Sequence, residues 1–292
     1  MASVAQITLR NGIKMPQEGF GVFQIDDPKV CEDKVLKALE IGYRLLDTAS
    51  SYQNEEAVGE AIKKSDISRS DIFLTTKAYI QEMGYEPTLK AFENSCRKLK
   101  TDYLDLYLIH MPLNDYYGSW RALEKLYKEG RIRALGVCNF SSTNLLDLLF
   151  NVQIPPMINQ IENHPLYQRT QEIKFMEQEK VQPEAWAPFA EGMDGIFNNS
   201  LLQKIAEQHG KTVAQVILRW NIQRGVVVIP KSTHQKRIQE NIDIWDFSLN
   251  SDEMNTIASL DLNKPQMLDL NQINEVRRVY NYLNNPILTT LN

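Results

Sequence analysis

Asp47, Tyr52, Lys77 and His110 bring an acid, a phenol, an amine and an imidazole into one sequence, and together these groups are the parts of a proton-delivery site. A tyrosine with an ordinary pKa of ~10 is a poor donor at neutral pH unless a neighbouring ammonium favours its ionised form. Lys77 supplies such a charge, and Asp47 is the anion that keeps Lys77 protonated in a partly dry pocket. His110 then orients a carbonyl oxygen or assists the proton. A set of this kind is a general acid for carbonyl reduction, but it contains no hydride source, so a reduced cofactor has to be bound beside it. Competing chemistries lack their motifs. The sequence has no Gly-x-Gly-x-x-Gly after a strand, no Walker loop, no His-Glu-x-x-His and no Cys-x-x-Cys, and its four histidines are scattered, so neither a metal site nor a P-loop is expected.

Positioning these groups is the task of a regular alternation. Short apolar or β-branched runs at Phe20 to Phe23, Leu45 to Asp47, Ile72 to Thr75, Leu104 to His110, Ala134 to Val137, Met157 to Gln160, Glu184 to Trp186 and Val226 to Ile229 read as eight strands. Amphipathic stretches at Lys29 to Ile41, Glu55 to Lys63, Pro87 to Leu99, Ser119 to Lys128, Thr143 to Phe150 and Val213 to Ile222 read as the intervening helices. Alternation of this kind gives parallel strands, and eight units predict an α/β fold of the closed (β/α)8 TIM-barrel type, with an open doubly wound sheet as the alternative. Asp47, Lys77, His110, Asn139, Gln160, Trp186 and Lys231 each fall at or just beyond the end of a run, at intervals of 30, 33, 29, 21, 26 and 45 residues. They mark one rim, where the active sites of such barrels gather. The wide last interval leaves room for an extra helix near Leu201 to His209.

Ile7 to Leu9 and Lys14 to Gln17, around Asn11 and Gly12, predict a hairpin before the barrel, placed to plug its bottom. The expectation is one domain over residues 1–292, with the hairpin in 1–18, the barrel with accessory helices in 19–260, and extra C-terminal helices or loop in 261–292, a tail near the active site. The tail carries Arg277, Arg278, Tyr280 and Tyr282 but no barrel element. A formal net charge of −5 argues against a general nucleic-acid surface or a binder of anionic membranes. Three widely spaced cysteines and no apolar export segment indicate a reducing cytoplasm, and no run approaches the ~20 apolar residues of a membrane span.

The segments Gly42 to Ala49 with Tyr52, Asn54, Glu55 and Glu56, then Thr75 to Lys77, Leu106 to His110 and Ile229 to Ser232 resemble the aldo-keto reductases. The resemblance runs in order over about residues 5 to 260 and maps the family's catalytic tetrad to Asp47, Tyr52, Lys77 and His110. It implies a nicotinamide cofactor lying across the barrel mouth. Gly136 to Phe140 and Asn159 to Glu162 look like the pair that holds the carboxamide, through Asn139 and Gln160, with Cys138 standing where the family usually has serine. Trp186 occupies the position of the aromatic that stacks on the nicotinamide ring.

Phosphate recognition has its own local signal in Lys231 to Arg237, where Ser232 and Gln235 form a capping-box pattern that opens a helix, and helix N-termini attract anions. With Lys231 and Arg237, the cluster resembles the family's site for the adenosine 2′-phosphate, and Glu240 and Asn241 match its adenine contacts. NADPH/NADP+ is therefore favoured over NADH. Phe23 and Met111 fall in the implied substrate pocket, Met111 where many relatives have tryptophan. Phe189 to Gly192 resembles a variant of bacterial members.

Taken singly, Asp47 reads as a loop cap, Tyr52 and Trp186 as packed aromatics, Lys77, Lys231 and Arg237 as solvated charges, and His110 as a core histidine. Their joint placement favours an NADPH-dependent oxidoreductase that reduces a small-molecule aldehyde or ketone, with Tyr52 as the acid and no nucleic acid, membrane or obligate protein partner. A redox-sensing regulatory protein that binds the same cofactor is the alternative. A Schiff-base aldolase or isomerase using Lys77 leaves Tyr52, Asn139, Gln160 and Trp186 unexplained.

Overall fold

The computed structural model describes residues 4–284. The expected hairpin is present as Gln6–Thr8 (β1) and Lys14–Pro16 (β2), paired antiparallel. Eight strands follow: Phe20–Gly21 (β3), Leu45–Asp47 (β4), Phe73–Ala78 (β5), Leu104–Ile109 (β6), Ile132–Cys138 (β7), Ile158–Glu162 (β8), Gln182–Trp186 (β9) and Val227–Val228 (β10). Neighbours in this series pair in parallel, in sequence order. The ring closes where Glu18 bridges Val228 and the Gly19 and Gly21 N–H groups donate to the carbonyls of Val228 and Pro230 at 2.8 and 3.1 Å. The protein is thus a (β/α)8 barrel and not an open sheet.

Around the ring lie Pro28–Ile41 (α1), Glu55–Lys64 (α2), Tyr85–Leu99 (α3), Tyr116–Lys128 (α4), Ser142–Asn151 (α5), Thr170–Gln178 (α6), Ser200–His209 (α7), Val213–Gln223 (α8), Gln235–Ile242 (α9) and Ser251–Ala258 (α10). Local sequence sets their ends. Asp27 caps α1 by accepting from the Lys29 and Val30 N–H groups, with Pro28 at the first helical position. Thr212 and Gln215 form a capping box that opens α8, and Asn250 and Glu253 form one for α10. The helix α6 lacks any such signal: Arg169 precedes it with no side-chain cap, and only Ile173 and Met176 are buried.

Every position of β5 and β6 is buried, as expected of parallel strands packed between the barrel interior and the helices. Gly136 on β7 permits the close approach of β8, since a Cβ there would lie 2.6 Å from the Ile158 carbonyl oxygen. The hairpin covers the bottom: Met15 is fully buried, Asn11 donates to the Arg133 carbonyl at 3.0 Å, and Arg10 donates to the carbonyls of Pro156 and Glu179.

The tail carries a helix beyond the barrel, as expected. Ile273–Asn281 forms a helix (α11), which crosses to the opposite, active rim of the barrel. The Tyr79 hydroxyl donates to the Val279 carbonyl at 2.8 Å, Gln81 donates to the Tyr280 carbonyl at 2.9 Å, and Tyr79 and Tyr282 pack ring to ring. The expected tail's residues 285–292 and the first three residues of the chain lie outside the described residues. Among the described residues no helix is long and apolar enough to cross a membrane.

Candidate active site

Asp47 is the last residue of β4, Lys77 lies on β5, and His110 directly follows β6, so three adjacent strands deliver three groups to one rim. Tyr52 joins them from the short turn of 3-10 helix, Ser50–Tyr52, that leaves β4. Lys77 has no exposed surface. Its Nζ donates to Asp47 Oδ1 at 2.5 Å, to the Thr48 carbonyl at 2.9 Å and to the Tyr52 hydroxyl at 3.4 Å. The His110 ring packs edge-on to Tyr52 and Tyr79, with Nδ1 3.5 Å from Ser51 Oγ. All four predicted residues are therefore brought together.

Electrostatics in this cluster follow burial first. Loss of water lowers the Lys77 affinity for its proton, but Asp47, together with Tyr52 and Cys138, offsets this and the amine is held above the ordinary lysine range. Burial raises the Tyr52 phenol above its ordinary value; Lys77 pulls it down, as expected, but removal of water is the larger effect. Burial, and then the Lys77 charge, push the His110 imidazole well below its ordinary value, so it is neutral at neutral pH.

These groups open onto a cavity of about 930 Å³ whose wall includes Asp47, Tyr52, His110, Asn139, Gln160 and Trp186, then Lys231, Ser232, Arg237, Glu240 and Asn241, with Phe23 and Met111 as predicted. Asn139, in the left-handed conformation one residue past β7, accepts from Trp186 Nε1 at 2.9 Å and donates to the His110 carbonyl at 3.1 Å. It thereby fixes the indole against the tetrad. Gln160 donates through Nε2 to Asp47 Oδ2 at 2.9 Å and to Glu184 Oε2 at 3.1 Å. Cys138 does not reach the cavity wall: fully buried, it turns its thiol to Gln160 Oε1 at 3.9 Å.

The predicted Ser232–Gln235 capping box does not form. The helix α9 opens at Gln235 with His234 at its N-cap position, and Ser232 Oγ instead accepts from the His234 N–H at 3.1 Å, the amide two residues on. No side chain caps α9, so its first N–H groups stand beside Lys231 and Arg237 without that competitor. Among the described residues there is no group of three or more His, Cys, Asp or Glu placed to hold a metal ion.

Glu184, Met193, Met267, Leu268 and Val279 are not singled out in the sequence as residues of the site. Glu184 stands two residues before Trp186 on β9, hence on the same face of the strand, a relation visible in the period of two. Glu191, Gly192 and Met193 line the cavity from a segment with positive φ at Glu191, Gly192, Asp194 and Gly195. Met267, Leu268, Arg278, Val279 and Tyr282 line it from the tail.

The profile of the Aldo/keto reductase family matches residues 19–262, which leaves all but the first two residues of the tail outside it. The chain is 48% identical over 255 residues to the glyoxal reductase of Bacillus subtilis (strain 168), covering 87% of this chain and 92% of that one. It is 42% identical over 267 residues to the methylglyoxal reductase of Escherichia coli (strain K12), covering 90% and 96%. The crystal structure of an aldo-keto reductase of Bombyx mori in complex with NADP superposes with a TM-score of 0.88 at 31% identity, over 92% of this chain and 96% of that one. A barrel whose rim residues converge in this way, matched over most of its length by such relatives, leaves one assignment: the chain belongs to the aldo/keto reductase family.

Proposed function

We propose that this protein is an NADPH-dependent oxidoreductase that reduces small aldehydes and ketones, α-oxoaldehydes among them, to alcohols. The observation that carries the reading is the chain from the buried Asp47 and Lys77 to the half-buried Tyr52, with its 2.5 and 3.4 Å contacts, at the wall of a deep cavity. The glyoxal and methylglyoxal reductases among the relatives support the substrate class.

The residues present suit a nicotinamide dinucleotide. Trp186 offers a flat face held in place by Asn139. Both N–H groups of Gln160 are engaged beneath the cavity, and Oε1, approached by the Cys138 thiol, keeps a second lone pair to accept from a carboxamide. Asn139 is already engaged at both ends, so its contribution is chiefly to hold Trp186. The uncapped start of α9 with Lys231 and Arg237 suits an anion, and Arg237 suits the 2′-phosphate in particular, with Ser232, Glu240 and Asn241 beside it. The bound cofactor supplies the hydride.

Tyr52, kept protonated by its burial, donates the hydroxyl proton to the carbonyl oxygen. Lys77 stabilises the phenolate left behind, and Asp47 fixes the ammonium in position. Neutral His110 offers a ring N–H to orient the substrate oxygen without competing as an acid. Phe23, Met111 and the tail give the pocket its apolar wall. The test is NADPH oxidation by the purified protein with a panel of aldehydes, α-oxoaldehydes, diketones and sugars. Turnover of the small dicarbonyls is expected, and tight NADPH binding with no turnover of any carbonyl would replace the enzyme by a cofactor-sensing regulator.

A further inference from the structure

Beneath the cavity, one nitrogen joins two acids. Gln160 Nε2 gives one hydrogen to Asp47 Oδ2 and the other to Glu184 Oε2, while Asp47 Oδ1 is taken by Lys77. Glu184 has no exposed surface, and its Oε1 has no hydrogen-bond partner. The opposite orientation of the Gln160 amide would set its carbonyl oxygen against the Asp47 carboxylate and leave Glu184 Oε2 without its donor, so the pair fixes which end of Gln160 is offered to a ligand. No step of the reduction uses Glu184.

We propose that Glu184 is a positioning residue of the nicotinamide subsite, which orients Gln160 and places a second carboxyl group, beside that of Asp47, behind the site. The inference rests on the nicotinamide-binding reading above. The groups that face Glu184 are Asp47 from β4, Lys77 from β5, Cys138 from β7 and Gln160 from β8. Burial, and then the Asp47 charge, raise its carboxyl to about 8. Lys77, Tyr52 and Cys138 are held above that range and His110 below it, so around pH 8 Glu184 is the member of this cluster that changes charge. Asp47 and Lys77 neutralise each other, and loss of the Glu184 proton turns the cluster from neutral to net negative. A negative charge there attracts the cationic oxidised nicotinamide and not the neutral reduced ring.

The test is the ratio of the NADP+ and NADPH dissociation constants, measured by fluorescence quenching from pH 6.5 to 9.5 in the wild-type protein and in Glu184→Gln. The 2′-phosphate is common to both cofactors and cancels in the ratio. In the wild type, NADP+ binding is expected to strengthen relative to NADPH by about tenfold through this range. Glu184→Gln, an isostere of the protonated acid that still accepts from Gln160, is expected to hold the ratio flat. Glu184→Met, which frees Gln160, should weaken both cofactors together and also leave the ratio flat. A flat ratio in the wild type, or an unchanged slope in Glu184→Gln, overturns the proposal. The wild-type arm needs no variant to fold. Absence of NADPH binding by the wild type would overturn the underlying reading as well, whereas binding with a flat ratio overturns this inference alone.

Discussion

The Lys77 ammonium lies 3.4 Å from the Tyr52 hydroxyl and 4.9 Å from the centre of its ring, yet the phenol holds its proton more firmly than an exposed tyrosine does, because burial outweighs the charge. Lys77 therefore acts on the product of proton transfer, the phenolate, and not by leaving the resting phenol ionised. Tyr52→Phe is expected to lower carbonyl reduction by about 10²- to 10⁴-fold while NADPH affinity changes little, since only the general acid is removed. In the wild type, reduction should persist through neutral pH and fall only as the phenol titrates at strongly alkaline pH. Steady-state rates beside a cofactor titration check both statements, and substantial turnover in Tyr52→Phe removes it from the donor role.

Lys77→Met leaves the nearly inaccessible Asp47 carboxylate without its ammonium. Breaking a buried pair by removing one partner costs about 3–5 kcal/mol, and reduction should be severely impaired at the same time. Adding Asp47→Leu should recover part of the stability but none of the activity, because the charge left alone is gone while the proton relay stays broken. Urea unfolding of the single and double variants measures the first effect, and wild-type-like rates in Lys77→Met would dismantle the relay.

His110 gives a pH dependence of known sign. Its imidazole is held well below the ordinary value by burial and by Lys77, so in acid the unfolded chain takes up a proton that the folded chain refuses. Stability must therefore fall as pH drops below ~6.5, by up to about 1.4 kcal/mol per pH unit from this residue. In His110→Asn that contribution is absent, and the difference between the two chains should shrink from pH 7 to pH 5. Parallel denaturation curves at both values would show that the ring accepts its proton without penalty.

Arg237 lines the cavity beside the uncapped start of α9. Arg237→Ala is expected to weaken NADPH by about 10- to 150-fold and NADH far less, since a charge-assisted contact of about 1.5–3 kcal/mol is lost to only one of them. Lys231→Ala should act in the same direction with less selectivity. Equal losses for the two cofactors in the Arg237 variant would move the phosphate elsewhere.

Much of this site was legible because barrel strands end where their apolar runs end. Asp47, His110, Asn139 and Trp186 lie at or one residue past a strand terminus, so the spacing of those termini placed them on one rim. Lys77 and Gln160 were found by the same signal, although β5 and β8 run on to Ala78 and Glu162 and leave both residues inside a strand. What the spacing does not encode is water. The raised phenol of Tyr52 depends on burial, with Phe23 packed against its ring, and the thiol of Cys138 turns to Gln160 beneath the cavity. The start of α9 was misread for a different reason: two helix-start geometries are open to a serine, and Ser232 takes the short one, to the amide two residues on.

One carboxylate gathers three successive N–H groups of the tail. Glu162, at the end of β8, accepts the backbone N–H groups of Gln266 at 2.8 Å and of Met267 and Leu268 at 3.3 Å each, and its Oε1 also faces His164 Nε2 at 3.1 Å. These contacts seat Met267 and Leu268 in the cavity wall, with Val279 and Tyr282 following from α11. Truncation after Leu262 removes that wall and leaves the tetrad and the cofactor residues on the barrel, so KM should rise for larger carbonyls while small dicarbonyls keep their kcat/KM. Glu162→Gln should move substrate preference in the same direction and by less, because a neutral amide is a weaker acceptor for three N–H groups. In the truncated chain the Glu162 substitution has nothing left to release, so the two changes should be strongly non-additive. Cooperative unfolding and NADPH binding by each variant are the controls. Additive effects on KM would mean that Glu162 acts through His164 or the barrel itself, and unchanged kcat/KM for every carbonyl after truncation would assign pocket selectivity to Phe23, Met111 and the barrel loops.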